Sequence, residues 1–190
     1  MLFRSMPRDG YTAMFRNMLD HPNIKVELGV SWKDVSGKGR ARRVIFTGPI
    51  DEYFEYRLGR LPYRSLHFVH ETRNVEWAQP VAVVNYPQTE RYTRITEYKH
   101  LTGQTHPQTS VSYEYPTDVG DPFYPIPRPE NQELYRKYRA AAERVPDTWF
   151  LGRLGSYQYL NMDQVVGQAL ATFERMNAQR APTAFARPAE

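Results

Sequence analysis

The chain has 190 residues, about one domain's worth, and 41% of them are hydrophobic, so a folded core is expected rather than wholesale disorder. It contains no cysteine, which excludes disulfides, iron–sulfur clusters, thiolate zinc sites and cysteine nucleophiles. The net charge of +4 comes without a lysine/arginine block, and no run of apolar residues approaches the length of a transmembrane helix. Since an apolar signal stretch is also absent, the sequence predicts a soluble, cytoplasmic protein that binds neither nucleic acid nor membrane.

The first 50 residues predict a partial α/β layer. After Asp9, the helical spacing of Met14, Phe15, Met18 and Leu19 predicts a helix that ends before Pro22. Alternation predicts a strand over residues 24–28. Residues 43–49 are typical of a buried strand that stops at Gly48-Pro49.

Residues 51–130 predict an antiparallel sheet. Five strand-like segments follow one another with turns and prolines but no helical period between them, and such strands pair antiparallel. These segments are residues 65–70, 81–86, 92–99, 110–115 and 123–126. Residues 131–177 predict a return to the first layer, with helices at 131–144 and 163–176 flanking a strand at 148–152; residues 178–190 predict a disordered tail. The predicted class is mixed α+β, with the sheet inserted into an α/β layer.

Several of the 14 tyrosines flank an arginine in one predicted strand. Strand alternation places Tyr92, Arg94 and Tyr98 on one face, where a guanidinium and phenols would suit a diphosphate. Tyr115 could add a phenol and Asn85 a hydrogen bond. The alternative is a solvent-exposed face with tyrosine–arginine stacking, a half-buried Tyr115 and a turn-capping Asn85, and periodicity alone favours it.

A second candidate site follows the late strand. That strand ends at Gly152, and the long helix begins near Asn161, with Gln164 in the spacing of a capping box. A helix N-terminus offers N–H donors to an anion or an electron-rich carbonyl, although simple capping explains the same residues. The histidines lack metal-ligand spacing, so no metal site is predicted, and no G-x-S-x-G, Walker or G-x-G-x-x-G motif occurs.

Seven short blocks, spread over most of the chain, are distinctive when taken in order. They are Asp9-Gly10-Tyr11-Thr12, Phe46-Thr47-Gly48-Pro49-Ile50-Asp51, Tyr56-Arg57-Leu58-Gly59-Arg60-Leu61, Val84-Asn85-Tyr86, Tyr92-Thr93-Arg94-Ile95-Thr96-Glu97, Tyr124-Pro125-Ile126 and Gly152-Arg153-Leu154-Gly155 with Tyr157, Tyr159 and Leu160. From about residue 7 to about residue 173, the chain resembles the C-terminal half of the UDP-galactopyranose mutase family.

The resemblance implies an isomerase that uses FAD to interconvert UDP-galactopyranose and UDP-galactofuranose, a precursor of cell-surface polysaccharide. It implies that N5 of the reduced flavin is the covalent nucleophile, so that no protein side chain is the catalytic nucleophile. It also implies a Rossmann-like FAD-binding layer, a sheet domain for the substrate, UDP-galactose as partner, and a homodimer.

The resemblance also assigns residues to ligands by their positions in the matching blocks. The implied substrate ligands are Tyr11, Asn85, Arg94, Tyr115 and Tyr159. The implied FAD contacts are Thr47, Gly48, Arg153, Leu160, Asn161 and Met162.

Two departures from the family pattern shape the expected activity. Asn161 stands where the family more often has aspartate, which changes the charge near flavin and substrate and leaves the preferred sugar nucleotide open. The dinucleotide fingerprint and the helical domain are absent, so this chain alone is expected to bind FAD weakly and to turn over nothing without an N-terminal FAD-binding portion. The alternatives are a non-catalytic UDP-sugar-binding remnant and a mutase-like flavoprotein for another sugar nucleotide.

Overall fold

A computed structural model describes residues 6, 7, 9–37 and 41–178. The predicted tail beyond residue 178 therefore lies outside the described residues. The chain divides into two compact units: residues up to 37 with 65–121, and residues 38–64 with 122 onward.

The described residues form helices and strands in the following order. They are α1 Gly10–Leu19, α2 Trp32–Val35, β1 Val44–Phe46, α3 Ile50–Tyr53, β2 Tyr63–Arg73, β3 Val83–Asn85, β4 Arg94–Glu97, α4 Lys99–Thr102, β5 Thr109–Thr117, β6 Tyr124–Pro125, α5 Pro129–Ala142, β7 Thr148–Phe150, α6 Gly152–Gly155 and α7 Met162–Ala178. No helix in this part of the chain is both long and apolar enough to cross a membrane.

The mixed α/β class, with one antiparallel and one parallel sheet, is confirmed. The strand predicted over residues 24–28 is wrong. These residues are exposed and pair with no described strand, so their alternation does not place one face against a core. The predicted strand at 92–99 is shorter, because Tyr98 turns into α4. The division also differs from the predicted one at residue 50, since the helices α1 and α2 group with the sheet and β1 groups with β7.

In the first unit the strands lie in the order β3-β4-β5-β2, with each neighbouring pair antiparallel. β3 pairs with β4 and β4 with β5, so these strands pair with their neighbours in the chain, joined by a turn or a short helix. β2 instead pairs with β5, which comes much later in the chain. This long-range pairing places β4, which carries Arg94, and β5, which carries Tyr113 and Tyr115, at the centre of these four strands.

A buried carboxylate anchors a loop to this sheet. Glu97 is fully buried and accepts hydrogen bonds from the Thr109 hydroxyl at 2.6 Å and from the amide N–H groups of Ala78 at 3.0 Å and Gln79 at 2.9 Å. Burial pushes the pKa of Glu97 upward, but these donors and the nearby His100 outweigh it, so the pKa lies below its usual range.

The second unit is held by aromatic side chains. β1 pairs in parallel with β7, and the first two residues of β2 pair with β6. The core consists of Ile50, Phe54, Leu61, Tyr138, Ala142 and Tyr157, packed against further rings from α3, β7 and α5. The Tyr138 hydroxyl donates to the Gly59 carbonyl at 2.6 Å, and the Tyr157 hydroxyl donates to the Pro62 carbonyl at 2.6 Å, so backbone acceptors satisfy these two buried phenols.

Candidate functional site

Three polar side chains form a row across the sheet of the first unit. Asn85, Arg94 and Glu114 are register partners on β3, β4 and β5, and cross-strand partners share one face. Arg94 Nε donates to Asn85 Oδ1 at 3.0 Å, and Arg94 Nη1 donates to Glu114 Oε2 at 3.4 Å. The Arg94 side chain remains 42% exposed, whereas that of Glu114 is 13% exposed. The arginine therefore faces solvent while its two neighbours fix its orientation.

Tyr115 lies on the opposite face of the sheet from Arg94. It follows Glu114 directly, and successive strand residues point to opposite faces. Its ring lies 5.9 Å from that of Tyr92, which in turn contacts Tyr113 at 5.0 Å and Tyr86 at 5.0 Å. The pleat thus brings Asn85 to Arg94 but does not bring Tyr115 to it.

The expectation that Tyr92 shares the face of Arg94 is wrong. The Thr93 N–H donates to the Glu114 carbonyl, and Glu114 is also the register partner of Arg94. Two residues of one strand oppose one of the other, as in a β-bulge, which shifts the alternation before β4 begins.

Tyr11 lies in the first turn of α1 and is partly buried. Among the described residues it forms no hydrogen bond or ring contact with Asn85, Arg94 or Tyr115. Its role as a substrate ligand stays a prediction.

A second cationic cluster lies in the other unit. The Arg153 guanidinium sits 4.5 Å from the Tyr159 ring centroid and 5.2 Å from that of Tyr124, and the two rings stack at 5.5 Å. Arg153 Nε donates to the Leu160 carbonyl at 2.8 Å. The structure thus joins a predicted flavin contact, a predicted substrate ligand and Tyr124. Tyr124 was missed as a site residue, although its block was among the seven that carried the resemblance.

The turn before α7 explains this geometry. Gly152 has a φ of +76°, and a Cβ on Gly155 would lie 3.1 Å from the Phe46 carbonyl oxygen, so both positions favour glycine. Tyr157 has a φ of 47°, unusual for a non-glycine residue, and its buried hydroxyl bonds hold it there. This reversal sends Tyr157 into the core and leaves Tyr159 62% exposed beside Arg153.

A pocket of about 260 Å³ adjoins this cluster within the second unit. Its walls are Pro125, Pro127, Gln132, Tyr157, Gln158, Tyr159 and Leu160. No group of three histidine, aspartate or glutamate side chains in the described chain is placed to hold a metal ion.

The other predicted flavin contacts lie at the ends of the parallel strands and at the start of α7. Thr47 and Gly48 follow β1, and a Cβ on Gly48 would meet the Phe46 ring at 2.8 Å. Asn161 precedes α7, and its N–H donates to Gln164 Oε1 at 2.7 Å, which confirms half of the predicted capping box.

These features define a mixed α/β protein with a solvent-facing arginine on an antiparallel sheet and another arginine against two stacked tyrosine rings, a composition suited to anionic ligands. A family model described as UDP-galactopyranose mutase matches residues 1–159. The chain belongs to the UDP-galactopyranose mutase family.

Individual relatives agree with this membership. The chain is 38% identical over 175 residues to a probable UDP-galactopyranose mutase of Klebsiella pneumoniae, covering 90% of this chain and 45% of the relative. It is 36% identical over 191 residues to the UDP-galactopyranose mutase of Mycoplasma pneumoniae, covering 91% and 48%. It is 33% identical over 178 residues to a dTDP-fucopyranose mutase of Escherichia coli, covering 88% and 47%. The chain thus spans about half the length of the curated relatives it matches.

Proposed function

We propose that this chain supplies the substrate-binding part of a FAD-dependent UDP-galactopyranose mutase, an isomerase that interconverts UDP-galactopyranose and UDP-galactofuranose. The observation that carries the proposal is the solvent-facing Arg94, held in a fixed orientation within a chain of this family. An oriented guanidinium can form a bidentate pair with phosphate oxygens, which a flexible lysine cannot.

Arg94 has capacity left for a ligand. A guanidinium carries about five N–H donors. Within the described residues Arg94 uses one on Asn85 and one on Glu114. About three therefore remain for the diphosphate. We assign Asn85 the role of holding Arg94 as well as, or in place of, the direct substrate contact that the resemblance implies.

Tyr159 is a separate candidate for a ligand contact, within the second unit. Its exposed ring lines the 260 Å³ pocket and lies beside the Arg153 guanidinium, and a phenol beside a cation can donate to a phosphate or sugar oxygen. We add Tyr124 to this proposed contact, since it stacks on Tyr159 and faces the same guanidinium. Tyr11 and Tyr115 stay proposed substrate ligands on the resemblance alone.

The residues of this chain fit only one end of FAD. Thr47 and Gly48 follow a parallel strand, and Arg153, Leu160, Asn161 and Met162 lie around the start of a long helix; both places are favourable for a flavin ring. The sequence lacks the glycine-rich turn that would cradle the FAD pyrophosphate. FAD, when bound in its reduced form, would supply N5 as the nucleophile toward the sugar.

We propose that an N-terminal FAD-binding portion, on the same or another polypeptide, completes the second unit. A parallel sheet is normally covered on both faces, and β1 and β7 are the only parallel pair in the described chain. One side of α7 presents an apolar stripe of four side chains that are 57–68% exposed: Met162, Val166, Leu170 and Phe173. An apolar groove of about 300 Å³ lies between β1 and α7, with Ile45 and Phe173 among its walls.

The relatives provide the candidate for covering this stripe. They are about twice as long as the matched region, so each carries a comparable length of chain outside it. The proposed occupant is α/β structure from that part, adding strands beside β1 or β7. The homodimer stays a prediction.

The diphosphate proposal is tested by titrating the purified chain with UDP in a calorimeter. Arg94→Ala should weaken binding about tenfold or more, because a charge-assisted pair is lost. Arg91→Ala, at an exposed arginine near β4, removes the same charge and should change binding less than about twofold. Equal effects of the two substitutions would contradict the proposal.

The completion proposal is tested by FAD retention on gel filtration. The chain alone should elute without yellow colour. Co-expression with the portion of the Klebsiella relative that lies outside the match should yield a complex that retains FAD. Leu170→Lys should prevent that complex, whereas Ala171→Lys, on the other side of α7, should not. Retention of FAD by the chain alone would overturn the proposal.

A second substrate class is favoured by one comparison. The similarity to a dTDP-fucopyranose mutase is nearly as high as that to the UDP-galactopyranose mutases. Competition between UDP and dTDP for the chain distinguishes the two: tighter binding of dTDP would assign the site to a deoxythymidine-linked sugar.

A further inference from the structure

We propose that Glu114 sets the affinity and charge selectivity of the Arg94 site, acting as a positioning residue that competes with the ligand for the guanidinium. The inference rests on the proposed function, since it assumes that Arg94 binds a diphosphate. It assigns a role to a carboxylate that the sequence motifs did not single out.

Geometry places Glu114 at the guanidinium rather than elsewhere on the sheet. Its carboxylate lies 3.4 Å from Arg94 Nη1, on the same face and in register. Asn85 occupies the other side, at Nε. Arg94 thus donates to one neutral acceptor, at 3.0 Å, and to one charged acceptor, at 3.4 Å.

The two acceptors differ in what they do to a bound anion. The amide oxygen of Asn85 orients the guanidinium without adding charge. Glu114 also orients it, but its negative charge offsets that of Arg94 and repels a phosphate arriving at the same donors. Because Glu114 is mostly buried, this repulsion is screened less than that of a surface carboxylate.

Charge selectivity follows from this repulsion. Free UDP carries about one more negative charge than UDP-galactose near pH 8, since its terminal phosphate is fully ionised there. A fixed carboxylate disfavours the more highly charged ligand more strongly. Glu114 should therefore favour the sugar-linked diphosphate over free UDP.

Isosteric substitutions at the two acceptors test the inference with opposite signs. Calorimetry with UDP and with UDP-galactose should show that Glu114→Gln tightens UDP binding about fivefold and UDP-galactose binding less, because the amide still accepts from Arg94 but carries no charge. Asn85→Asp adds a charge at the other acceptor and should weaken both ligands, UDP more than UDP-galactose. Raising the salt concentration should shrink both effects.

Glu71→Gln is the matched control. Glu71 also pairs with an arginine, Arg73, on the same sheet but on the face away from Arg94, and its replacement changes the net charge equally. It should leave both affinities within about twofold, because its carboxylate is not at the site.

The possible results separate this inference from the proposed function. If Arg94→Ala weakens UDP binding but Glu114→Gln leaves it unchanged or weaker, or affects both ligands equally, the role of Glu114 is overturned and the proposed function stands. If the folded chain and its Glu114→Gln variant bind neither ligand, or if Arg94→Ala has no effect, both are overturned. Should Glu114→Gln fail to fold, the Asn85→Asp result decides by the same ligand comparison.

Discussion

The two units of the chain hold their charged side chains by different means. In the first unit, Arg94 is paired with the Glu114 carboxylate and the Asn85 amide. In the second, Arg153 lies against the rings of Tyr124 and Tyr159 and donates to a backbone carbonyl. Among the described residues Arg153 forms no ion pair. In the first unit a carboxylate neutralises the charge of Arg94. In the second unit aromatic rings contact Arg153, and no described carboxylate pairs with its charge.

Their buried carboxylates differ in the same way. Glu97 in the first unit accepts three hydrogen bonds, and its pKa is lowered. Asp51 in the second unit accepts one at Oδ2, from the Leu61 N–H at 2.9 Å, while its Oδ1 has no partner in the described chain. Burial raises the pKa of Asp51. Hydrogen-bond donors thus stabilise the ionised carboxylate in one unit, and burial with a single donor disfavours it in the other.

Replacing each of these two carboxylates by its isosteric amide should give the largest difference in the free energy of unfolding between the two units. Glu97→Gln should lower the free energy of unfolding by about 3 kcal/mol, because an amide NH₂ replaces an acceptor among three donors. Asp51→Asn should change it by less than about 1 kcal/mol, since the amide oxygen can still accept from Leu61. Urea unfolding of both variants at pH 7 measures this; equal losses would remove the contrast between the units.

Lowering the pH should change the contributions of Glu97 and Asp51 to the free energy of unfolding in opposite directions. Ionised Glu97 stabilises the fold above its unfolded pKa of about 4.3, and this contribution is lost as pH falls through its lower folded value. Burial raises the folded pKa of Asp51 above its unfolded value of about 3.9. Ionising Asp51 therefore lowers the stability of the fold as pH rises from the unfolded pKa to the folded one, and acid removes this loss.

The matching measurement compares each amide variant with the parent at pH 7 and near pH 3.5. The stability deficit of Glu97→Gln should shrink in acid. The parent should gain relative to Asp51→Asn over the same interval. Changes of the same sign in both pairs would contradict the opposite pKa shifts.

Lysine substitutions at Arg153 and Arg94 should also differ in unfolding free energy, by less than the two carboxylate variants do. Arg153→Lys loses the planar contact with two rings and should cost about 1 kcal/mol of unfolding free energy. Arg94→Lys should cost less than about 0.5 kcal/mol, because an ion pair of a partly exposed side chain contributes little. Thermal unfolding of the two variants side by side measures this, and a larger loss for Arg94→Lys would reverse the interpretation.

Local patterns in the sequence determined the long helices, most strands and the glycine-rich turn before α7. Helical period, strand alternation and glycine are properties of neighbouring residues, and α5 and α7 match their predicted ranges closely. The ordered blocks also determined the family, because their spacing survives in the linear chain. The strand predicted at 24–28 failed because alternation alone does not supply a pairing partner.

Only the tertiary structure decided which side chains meet. The bulge at Thr93 moved Tyr92 away from the face of Arg94, the register of β5 put Glu114 rather than Tyr115 beside the guanidinium, and Tyr124 came to lie on Tyr159. These contacts depend on register and on pairing between segments far apart in sequence. A shift of one residue in such a pairing exchanges the two faces of a strand, and no local pattern of residues encodes that choice.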